Sequence, residues 1–460
     1  MKSEAPFKIF NSLNGQKEEF NPCDSDHIKI YACGPTVYNY AHIGNARMAV
    51  VFDTFVRTLR IFYPKVTYVS NITDIDDKII EAAHEQKVEI SLITEKYTKI
   101  YNDDMSKLNV LMPDIQPKAT EYIPEMIELI EDLISKDFAY VKEGHVLFHV
   151  PNYVNYGKLS KRNRDEQIAG SRVEVAPFKK DPADFVLWKP SDKSQPGWDS
   201  PWGVGRPGWH TECSAMSKKT LGLPFDIHGG GRDLIFPHHE NEIAQSCCSS
   251  ANIEDPTSYA KYWMHNGFVT IDGEKMSKSL GNIILVNELT ESYHGEVIRL
   301  ALLSSHYRQG LDWNEKIIHQ ANILLDKLYE IKFLLNDEII EETIDTNLAP
   351  IAHLADDLNT PGLIAELHKL VKDFNNSHSN KSEIKINLNL ISKALGILQD
   401  DSYKHVSEEL KKQINTLILK RTEAKDNKDY ELADKIRNEL LDLGVEIKDT
   451  SSGTNWNLKS

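Results

Sequence analysis

The sequence has little of several features that would place a protein in a class at once. Five cysteines in 460 residues, none in a CxxC pair, argue against a disulfide framework and favour a reducing compartment, so a cytoplasmic protein is expected. No apolar run approaches the roughly 18 residues that a membrane-spanning helix requires, and the first ten residues lack the apolar stretch of a signal peptide. These absences predict a globular protein with no membrane partner.

Positive charge is also scarce. The 53 lysines and arginines are outnumbered by 69 aspartates and glutamates, which gives a net charge of −16. Because phosphates need local positive charge, a nucleic-acid partner could bind only at basic patches. Two candidate patches are KLSKRNR (158–164) and the lysines and arginines within 411–437. The second group alternates with acidic residues, so solvated helix faces remain an alternative for it.

Strand and helix patterns alternate regularly near the start of the chain. The strand patterns HIKIYACG (27–34) and KVTYVSNI (65–72) are each followed by helical spacing of apolar residues. This order predicts the α/β class, with a Rossmann-like, doubly wound parallel sheet. Ligands of such sheets bind beyond the carboxyl ends of the strands. The residues directly after each strand are therefore the candidates for function.

The pattern changes twice further along. Residues 117–205 contain a predicted helix (119–137), a hairpin (138–150) and a loop-rich stretch, and we interpret them as an insertion that splits one sheet. The later elements are predicted as helices at 208–222 and from Pro237, a strand at 225–231, amphipathic helices at 287–305, 314–335, 348–376 and 387–399, and a charged segment at 405–442 before a strand-like end. The C-terminal third is thus predicted to be an all-α helical bundle followed by a small end module.

The stretch FPHHENEIAQSCC (236–248) suggests a metal site. His238 and Glu242 lie four residues apart, so they project from one face of a helix and can bind the same ion. Tetrahedral zinc takes about four N, S or O ligands. The nearest thiolate candidates are Cys213, in the preceding helix, and Cys33, at the end of the first strand. Spacing alone leaves open the alternative of a capping histidine, a solvated glutamate and two core cysteines.

Two glycine-containing turns could bind a nucleotide. HIGN (42–45) begins a helix after the first strand, and a helix N-terminus with a glycine and His42 would suit an anion. In HGGGRDL (228–234), the glycines allow a ribose or base to approach the backbone, and Asp233 can accept from ribose hydroxyls. Each turn alone could equally be a surface feature without a ligand.

A third motif carries two lysines between glycines. GEKMSKSLGN (273–282), which we call the lysine loop, places Lys275 and Lys278 on a short segment bounded by Gly273 and Gly281. Two ammonium groups on such a segment would suit a mobile clamp on a leaving pyrophosphate. A solvated basic loop is the alternative for the motif on its own.

The order of these three motifs resembles that of the class I aminoacyl-tRNA synthetases. More narrowly, the chain is similar to the cysteinyl-tRNA synthetases over nearly its whole length. The segments that carry this similarity are YACGPTVYNYAHIGNAR, NITDIDDKI, GRPGWHTECSAM, FDIHGGGRDLIFPHHENEIAQS, KMSKSLGN and ADKIRNELLDLGVEIKDTSSGTNW.

The resemblance implies a ligase reaction in two steps. The carboxylate of L-cysteine attacks the α-phosphorus of ATP, and the terminal ribose hydroxyl of tRNA(Cys) then takes the cysteinyl group. Magnesium would accompany ATP, and no side-chain nucleophile is required. The residues implied in catalysis are His42, Asn45, Lys275 and Lys278. Those implied in ATP binding are His42, Gly44, Asn45, Gly230, Asp233 and Lys278.

The resemblance also implies one zinc ion per chain, to which the sulfur of the substrate binds. The implied ligands are Cys33, Cys213, His238 and Glu242. A thiol ionises readily on zinc, whereas the hydroxyl of serine is a harder and more basic ligand, so a single metal–sulfur bond can reject serine. Thr73 and Trp209 are implied around the bound amino acid. A loop hydroxyl and an aromatic core residue are their alternatives.

A division into domains follows from the same resemblance, and a monomer is expected. The predicted units are a Rossmann-like catalytic domain in two halves (1–116 and 206–252), a connective insertion (117–205), a stem-contact region with the lysine loop (253–315), a helical bundle (316–400) and an anticodon-binding module (401–460).

The sequence departs from the family pattern at one position and leaves two other functions open. The fourth place of the HIGN motif, often histidine in the family, is Asn45, whose amide can donate a hydrogen bond but carries no charge. His42 is therefore expected to do more of the work. The alternatives are a ligase that joins cysteine to an amino sugar and an inactive, synthetase-derived RNA-binding protein. Residues 316–460 argue against the first, and the intact lysines and His42 against the second.

Overall fold

The computed structural model describes residues 7–170, 177–193, 195–250, 252–277, 279–336, 349–376, 380–400, 403, 408–450 and 453–458. Lys278 of the lysine loop lies outside these residues. Within the described ranges, no helix has the length and apolar character needed to cross a membrane.

The described chain alternates between strands and helices in its first two thirds and is mainly helical after that. The strands are β1 (Lys8–Asn11), β2 (Gln16–Glu19), β3 (Ile28–Ala32), β4 (Val66–Ser70), β5 (Ala139–Lys142), β6 (His145–Phe148), β7 (Phe185–Pro190), β8 (Gly205–Pro207), β9 (Phe225–Gly231), β10 (Ala260–Asn266), β11 (Val269–Ile271), β12 (Glu274–Lys275), β13 (Leu311–Trp313), β14 (Val445–Thr450) and β15 (Gly453–Leu458). The helices are α1 (Ile43–Phe62), α2 (Asp77–Gln86), α3 (Ile90–Lys107), α4 (Ile123–Ser135), α5 (Arg164–Gly170), α6 (Trp209–Leu221), α7 (Glu240–Ser249), α8 (Val286–Ser292), α9 (Gly295–Leu302), α10 (Glu315–Leu334), α11 (Ala349–Ala355), α12 (Thr360–Phe374), α13 (Lys381–Leu395), α14 (Glu408–Asp426) and α15 (Tyr430–Asp442).

The central sheet has four parallel strands in the order β10-β9-β3-β4. Along β3, Ile30 and Ala32 pack into the core on one face, while Tyr31 and the next odd residue, Cys33, pack into the core on the other. This alternation follows from the two-residue period of a strand, and a parallel sheet needs cover on both faces. The predicted doubly wound parallel sheet is confirmed, and it is split as expected, because β3 and β4 precede the insertion while β9 and β10 follow it.

Helices cover both faces of this sheet. On one face, α1 buries Phe52 and Phe55 in the same core as Ile30. On the other, α6 and α7 bury Met216 and Ile243 beside Tyr31. The apolar spacing read from the sequence therefore predicts the correct helices for the two layers.

The insertion carries α4 and the strands β5, β6 and β7 of a second, antiparallel sheet in the order β5-β6-β7-β8, and β8 (Gly205–Pro207) extends past the predicted boundary at 205. The predicted helix and hairpin correspond to α4 and to β5 with β6. The strands β7 and β8 were not predicted, because they lie in a stretch whose prolines, lysines and tryptophans are typical of loops.

Strand β10 was also not predicted. Its sequence, AKYWMHN, lacks the aliphatic alternation of the other strands, yet Trp263, His265 and Asn266 are all buried. The strand lies at one edge of the central sheet, and the Nε2 atom of His265 lies 2.8 Å from Nδ1 of His239, a residue of the site described below. A small sheet in the order β12-β11-β13 follows it and carries the start of the lysine loop.

Two of the predicted amphipathic helices are each broken into two. The stretch 287–305 contains α8 and α9, because the side chain of His294 caps α9 by accepting from the N–H of Glu296. The stretch 348–376 contains α11 and α12, which are separated by Asp357 and Leu358 at positive φ. The side chain of Asn359 then caps α12. Caps within a periodic apolar pattern thus end helices that periodicity alone would continue.

The end module has a separate small core. Helices α14 and α15 pack with the antiparallel hairpin of β14 and β15. The buried residues of this core are Ile414, Leu417, Ile436, Leu440 and Val445. The predicted charged segment and strand-like end are both present.

A buried polar junction joins α1 to the helical bundle. Arg299 in α9 is fully buried and donates to the carboxylate of Asp53 in α1 and to the carbonyl oxygen of Leu395 at the end of α13. Glu296, one turn earlier, accepts from the hydroxyl of Tyr329 and from the N–H of Leu398, each at 2.8 Å. Each buried charge therefore has partners from more than one layer, as its desolvation requires.

We expect Arg299→Leu to lower the free energy of unfolding by about 3–5 kcal/mol, because it leaves the Asp53 carboxylate buried without this partner. Urea unfolding followed by tryptophan fluorescence measures the loss. The matched control is Arg60→Leu on α1, whose pair with Asp114 has side chains 35% and 41% exposed. That loss should stay below about 1 kcal/mol. Equal losses of unfolding free energy in the two variants would contradict the conclusion that the buried junction stabilises the fold more than a surface ion pair does.

Candidate active site

Cysteine, histidine and glutamate side chains converge at the carboxyl edge of the central sheet. Cys33 directly follows β3, and its N–H donates to the carbonyl oxygen of Gly229 in β9 at 3.0 Å. Cys213 lies in α6 and Glu242 in α7, the two helices that cover the same face. Because parallel strands end at one edge, segments far apart in the sequence meet there.

The four residues predicted to be zinc ligands lie together. The Cys33 Sγ atom is 3.6 Å from Cys213 Sγ and 3.5 Å from Glu242 Oε1. The Nε2 atom of His238 is 3.1 Å from the same carboxylate oxygen. All four side chains are buried, and their ligand atoms lie within 4.8 Å of one another. A cluster of sulfur, nitrogen and oxygen atoms with this spacing can hold one metal ion.

Two further histidines form a second possible set with Cys33 and Glu242. His228 Nε2 is 3.3 Å from Glu242 Oε2, and His239 Nε2 is 3.3 Å from Cys33 Sγ. Neither was predicted from the sequence, although one lies within the strand that ends in glycines and the other follows His238 directly. Of the two sets, the one with two thiolates is the softer and suits zinc better.

Burial controls the charge of these groups. It raises the pKa of the Glu242 carboxyl to about 8 and raises the pKa of the Cys33 thiol well above its ordinary value. Burial also lowers the pKa values of His228 and His239 well below the usual range, so both imidazoles are neutral at pH 7. A bound dication would supply the positive charge that the ionised thiols and carboxylate need. The donor set therefore fits a metal.

Residues around the cluster orient the side chains that would bind a metal. The hydroxyl of Tyr259 donates to Glu242 Oε2 at 2.9 Å. The Nδ1 atom of His238 is 2.9 Å from Nδ1 of His210, which leaves Nε2 directed toward the cluster. The indole of Trp209 stacks on the His238 ring with 4.2 Å between centroids. Such contacts fix which atom of each side chain faces an ion.

The helix that carries Glu242 begins later than predicted. The sequence places its start at Pro237, but regular α-helix begins at Glu240, and Ile235–His239 forms a single irregular turn. The cause is local, because Phe236 precedes a proline and is therefore extended (φ −139°, ψ 133°). His238 still reaches Glu242 across the turn that follows.

Thr73 and Trp209 both border the cluster. Thr73 is buried, and its N–H donates to the carbonyl oxygen of Pro35, close to Cys33 in the chain. Asn71 links this segment to the cluster, because it donates to Thr73 Oγ1 at 3.3 Å and its Oδ1 atom contacts the Cys213 sulfur at 3.7 Å. The structure thus brings together the two residues predicted to surround an amino acid, because Thr73 is linked to the cluster through Asn71 and Trp209 through His238.

The HIGN turn caps α1. The Nδ1 atom of His42 accepts from the N–H groups of Gly44 and Asn45, and Asn45 Oδ1 accepts from the N–H of His42. This reciprocal arrangement is a capping box in which asparagine takes the place of the usual glutamate. Since Nδ1 is an acceptor, the proton of the neutral His42 ring is on Nε2. A hydrogen-bond donor therefore points away from the helix end.

The glycine turn after β9 lies near the HIGN turn. Asp233 is close enough to His42 to oppose the burial that lowers the histidine's pKa. A Cβ atom at Gly230 would lie 2.9 Å from a methyl of Leu234 and 3.1 Å from the His239 ring, so only glycine fits there without displacement. The two predicted nucleotide-binding turns therefore share one edge of the sheet.

The segment just after the lysine loop is hydrogen-bonded to the HIGN turn and to the residue before it. The N–H of Ile43 donates to the carbonyl oxygen of Ile284, and the N–H of Val286 donates to that of Ala41, each at 2.9 Å. Lys275 is exposed in β12. Gly273 and Gly281, which bound the lysines, have positive φ, a conformation that glycine adopts without strain. Lys278 lies outside the described residues, so its position is not part of this geometry.

Comparisons with known proteins agree over nearly the full chain. Residues 19–323 match the family described as tRNA synthetases class I (C) catalytic domain, 351–399 match the DALR domain, and 407–456 match the Cysteinyl-tRNA ligase anticodon binding domain. A cysteine–tRNA ligase of Parvibaculum lavamentivorans is 53% identical, with 98% of both chains covered. One of Pelagibacter ubique is 48% identical and covers 98% of this chain and 99% of its own.

Similar folds occur among solved structures. The methionyl-tRNA synthetase of Mycobacterium tuberculosis bound by methionyl-adenylate superposes with a TM-score of 0.57 at 15% identity, covering 80% of this chain and 91% of its own. At that identity the likeness concerns the fold alone. It supports the α/β sheet with helical domains after it.

Proposed function

Because the chain belongs to the cysteine–tRNA ligases, we propose that its buried cluster recognises cysteine through zinc while the neighbouring turns bind ATP. The chain is a ligase that joins cysteine to tRNA. The observation that carries the site assignment is the spacing of Cys33, Cys213, His238 and Glu242, whose ligand atoms lie within 4.8 Å. Cysteine-dependent exchange of pyrophosphate into ATP, compared with serine as the substrate, tests the whole assignment.

The softer of the two donor sets is the one we assign to the metal. It has two thiolates, one imidazole and one carboxylate, a combination that suits tetrahedral zinc. Zinc bound there supplies a Lewis-acid position that takes a thiolate and discriminates against a hydroxyl. Trp209 and Thr73 would then hold the rest of the amino acid, since Trp209 stacks on His238 and Thr73 is linked through Asn71 to the sulfur of Cys213. His228 and His239 would act as neutral neighbours of the ligands.

The chain's own groups would carry the phosphoryl chemistry. The Nε2–H group of His42 and the N-terminus of α1 are placed to donate to phosphate oxygens. The Oδ1 atom of Asn45 already accepts a hydrogen bond in the capping box. Its amide N–H groups are therefore the part of the side chain that can face a phosphate. Asp233 would accept from ribose hydroxyls. These interactions position ATP and stabilise charge without a nucleophilic side chain.

Two displacements complete the reaction. A carboxylate oxygen of cysteine attacks the α-phosphorus, and the bond to pyrophosphate breaks. The ammonium groups of Lys275 and Lys278 would neutralise the charge that develops on this leaving group. A ribose hydroxyl of the tRNA then attacks the carbonyl carbon, and AMP leaves. Hinge glycines at both ends of the lysine loop would allow it to close on the phosphates.

We expect Glu242→Gln and Cys213→Ser to lose bound zinc and to raise the KM for cysteine, because each removes an anionic ligand. Elemental analysis and pyrophosphate exchange measure the two effects. His228→Asn is the matched control, since His228 belongs to the alternative set and should keep its zinc. If Cys213→Ser kept its zinc and His228→Asn lost it, the metal ligands would instead be the second set, which contains His228 and His239.

We expect Lys278→Ala to slow adenylate formation by about 100-fold, because a charge on the leaving group loses its partner. The KM for cysteine should stay within about twofold, since the lysine acts on the phosphates rather than on the amino acid. Lys369→Ala, an exposed lysine on α12, is the control. An exchange rate equal to that of the parent would remove the role assigned to Lys278.

Deletion of residues 407–460 should abolish cysteinylation of tRNA and leave cysteine-dependent pyrophosphate exchange within about threefold of the parent. The end module has its own core, so its removal does not open the core of the catalytic domain. Loss of exchange together with cysteinylation would instead show that the module supports the active site.

A further inference from the structure

The second set of possible metal ligands shares only two of its members with the proposed zinc site. It contains His228 and His239 in addition to Cys33 and Glu242. Among the described residues, every group of three or more side chains that could hold a metal belongs to one of these two overlapping sets. The two histidines are therefore donors that the zinc assigned above does not use.

The carboxylate of Glu242 divides its two oxygens between the sets. Its Oε1 atom is 3.1 Å from Nε2 of His238 and 3.5 Å from Sγ of Cys33. Its Oε2 atom is 3.3 Å from Nε2 of His228. A carboxylate whose oxygens face different donor groups can bridge two metal ions, and a thiolate can bridge them as well. Glu242 and Cys33 are thus the two residues that both sets could share.

The distances within the second set suit a tetrahedral ion. Ligand atoms around tetrahedral zinc lie about 3.3–3.8 Å apart, because the metal bonds are about 2.0–2.3 Å long. The Sγ atom of Cys33 is 3.6 Å from Nε2 of His228 and 3.3 Å from Nε2 of His239. His228 is 3.3 Å from Glu242 Oε2, whereas His239 is 4.0 Å from Glu242 Oε1. Only the last distance needs a shift of a few tenths of an ångström.

The histidine rings can present lone pairs to such an ion. The Nδ1 atom of His239 is 2.8 Å from Nε2 of His265, and Nδ1 of His265 is 2.8 Å from Oγ of Ser12. If each ring donates from Nδ1 along this chain, the Nε2 atom of His239 is a free donor to the metal, as in many metal-bound histidines. The Nδ1 atom of His228 has no hydrogen-bond partner among the described residues, so no bond to it opposes the corresponding tautomer.

The charge of the cluster also favours a second cation. Two thiolates and one carboxylate carry three negative charges, so a single dication leaves one of them uncompensated. A substrate thiolate on the zinc adds another. The histidines supply donor atoms but no charge of their own. Because uncompensated buried charge is costly, a second dication should be held most tightly when a thiolate substrate is bound.

We propose that the cluster binds a second divalent transition-metal ion between His228, His239, Cys33 and Glu242, with the last two bridging it to the zinc. The inference rests on the proposed function, because the first ion is the zinc assigned there. Two shared donors make the second ion the weaker one, so dialysis removes it and the purified enzyme keeps one zinc. Nitrogen and sulfur donors select zinc, cobalt or nickel rather than magnesium.

The first test adds cobalt to full-length enzyme that already holds one zinc. The reference protein is Cys23→Ser, which lacks the exposed cysteine. We expect one cobalt ion to bind with the zinc retained and with a cobalt–thiolate absorption band, measured by elemental analysis and spectroscopy. Cobalt that replaces zinc one for one would overturn the proposal, because the cluster would then have a single metal position. Cobalt bound without a thiolate band would also overturn it, as an adventitious surface ion only.

The second test removes the histidines one at a time. His228→Asn and His239→Asn should each keep the zinc and bind cobalt at least about tenfold more weakly. His319→Asn is the matched control, since this exposed histidine of α10 lies in neither set. Zinc content and the thermal midpoint show whether each variant is folded. If both variants unfold, the cobalt titration of the reference protein still decides. Unchanged cobalt affinity in both folded variants would overturn the assignment.

The third test measures coupling to the substrate thiol. A non-hydrolysable cysteinyl-adenylate analogue should tighten cobalt binding about tenfold, whereas the seryl analogue should not, because only the thiolate adds a charge. Equal effects of the two analogues would contradict the charge compensation between the ions and the substrate. An enzyme without zinc and without cysteine-dependent pyrophosphate exchange would instead contradict the proposed function itself.

Discussion

The burial of Glu242 between two thiols is the constraint on which the rest of the site depends. A carboxyl group in this position is costly to ionise, and its raised pKa of about 8 expresses that cost. The groups around Glu242 are a hydrogen-bond donor, the hydroxyl of Tyr259, and the neutral imidazoles of His228 and His239. None of these three groups carries a positive charge. We therefore propose that a bound metal ion supplies the positive charge that the cluster lacks. A site of this kind gives up stability in exchange for a place where a soft ligand can be recognised.

At the HIGN turn, one side chain serves the fold and, as we propose, ATP binding as well. His42 uses one ring nitrogen to cap α1, and the same hydrogen bond determines that the other nitrogen is a donor. Asn45 divides its amide in the same way, because its oxygen completes the capping box. A histidine in place of Asn45, which the family often has, would also need a ring nitrogen that accepts from the N–H of His42. Asparagine preserves the helix cap but, unlike a protonated histidine, has no positive charge to offer the proposed phosphate.

Elements with a strong local signal could be predicted from the sequence, and those fixed by distant contacts could not. The strands β3 and β9 and the helices α1 and α6 follow from periodicity and glycine positions. Strand β10 was missed because His265 and Asn266 are polar, and a polar pattern does not indicate a buried strand until the fold places His265 beside His239. His228 and His239 were missed for a related reason, since two residues do not indicate a ligand set until the fold places them beside Cys33. Family resemblance supplied the choice among ligands that spacing left open.

The junction at Glu296 and Arg299 has a consequence for dividing the protein into pieces. Leu398 and Gln399, at the far end of the helical bundle, donate their N–H groups to Glu296, and Arg299 donates to a carbonyl oxygen of α13. A gene fragment that stops after the catalytic domain would leave Glu296 without the N–H groups of Leu398 and Gln399, and Arg299 without the carbonyl oxygen of Leu395. The smallest autonomous catalytic fragment must therefore extend to about residue 399, and chimaeras that exchange the bundle between relatives must keep Glu296 and Arg299 matched to the backbone groups that they bind.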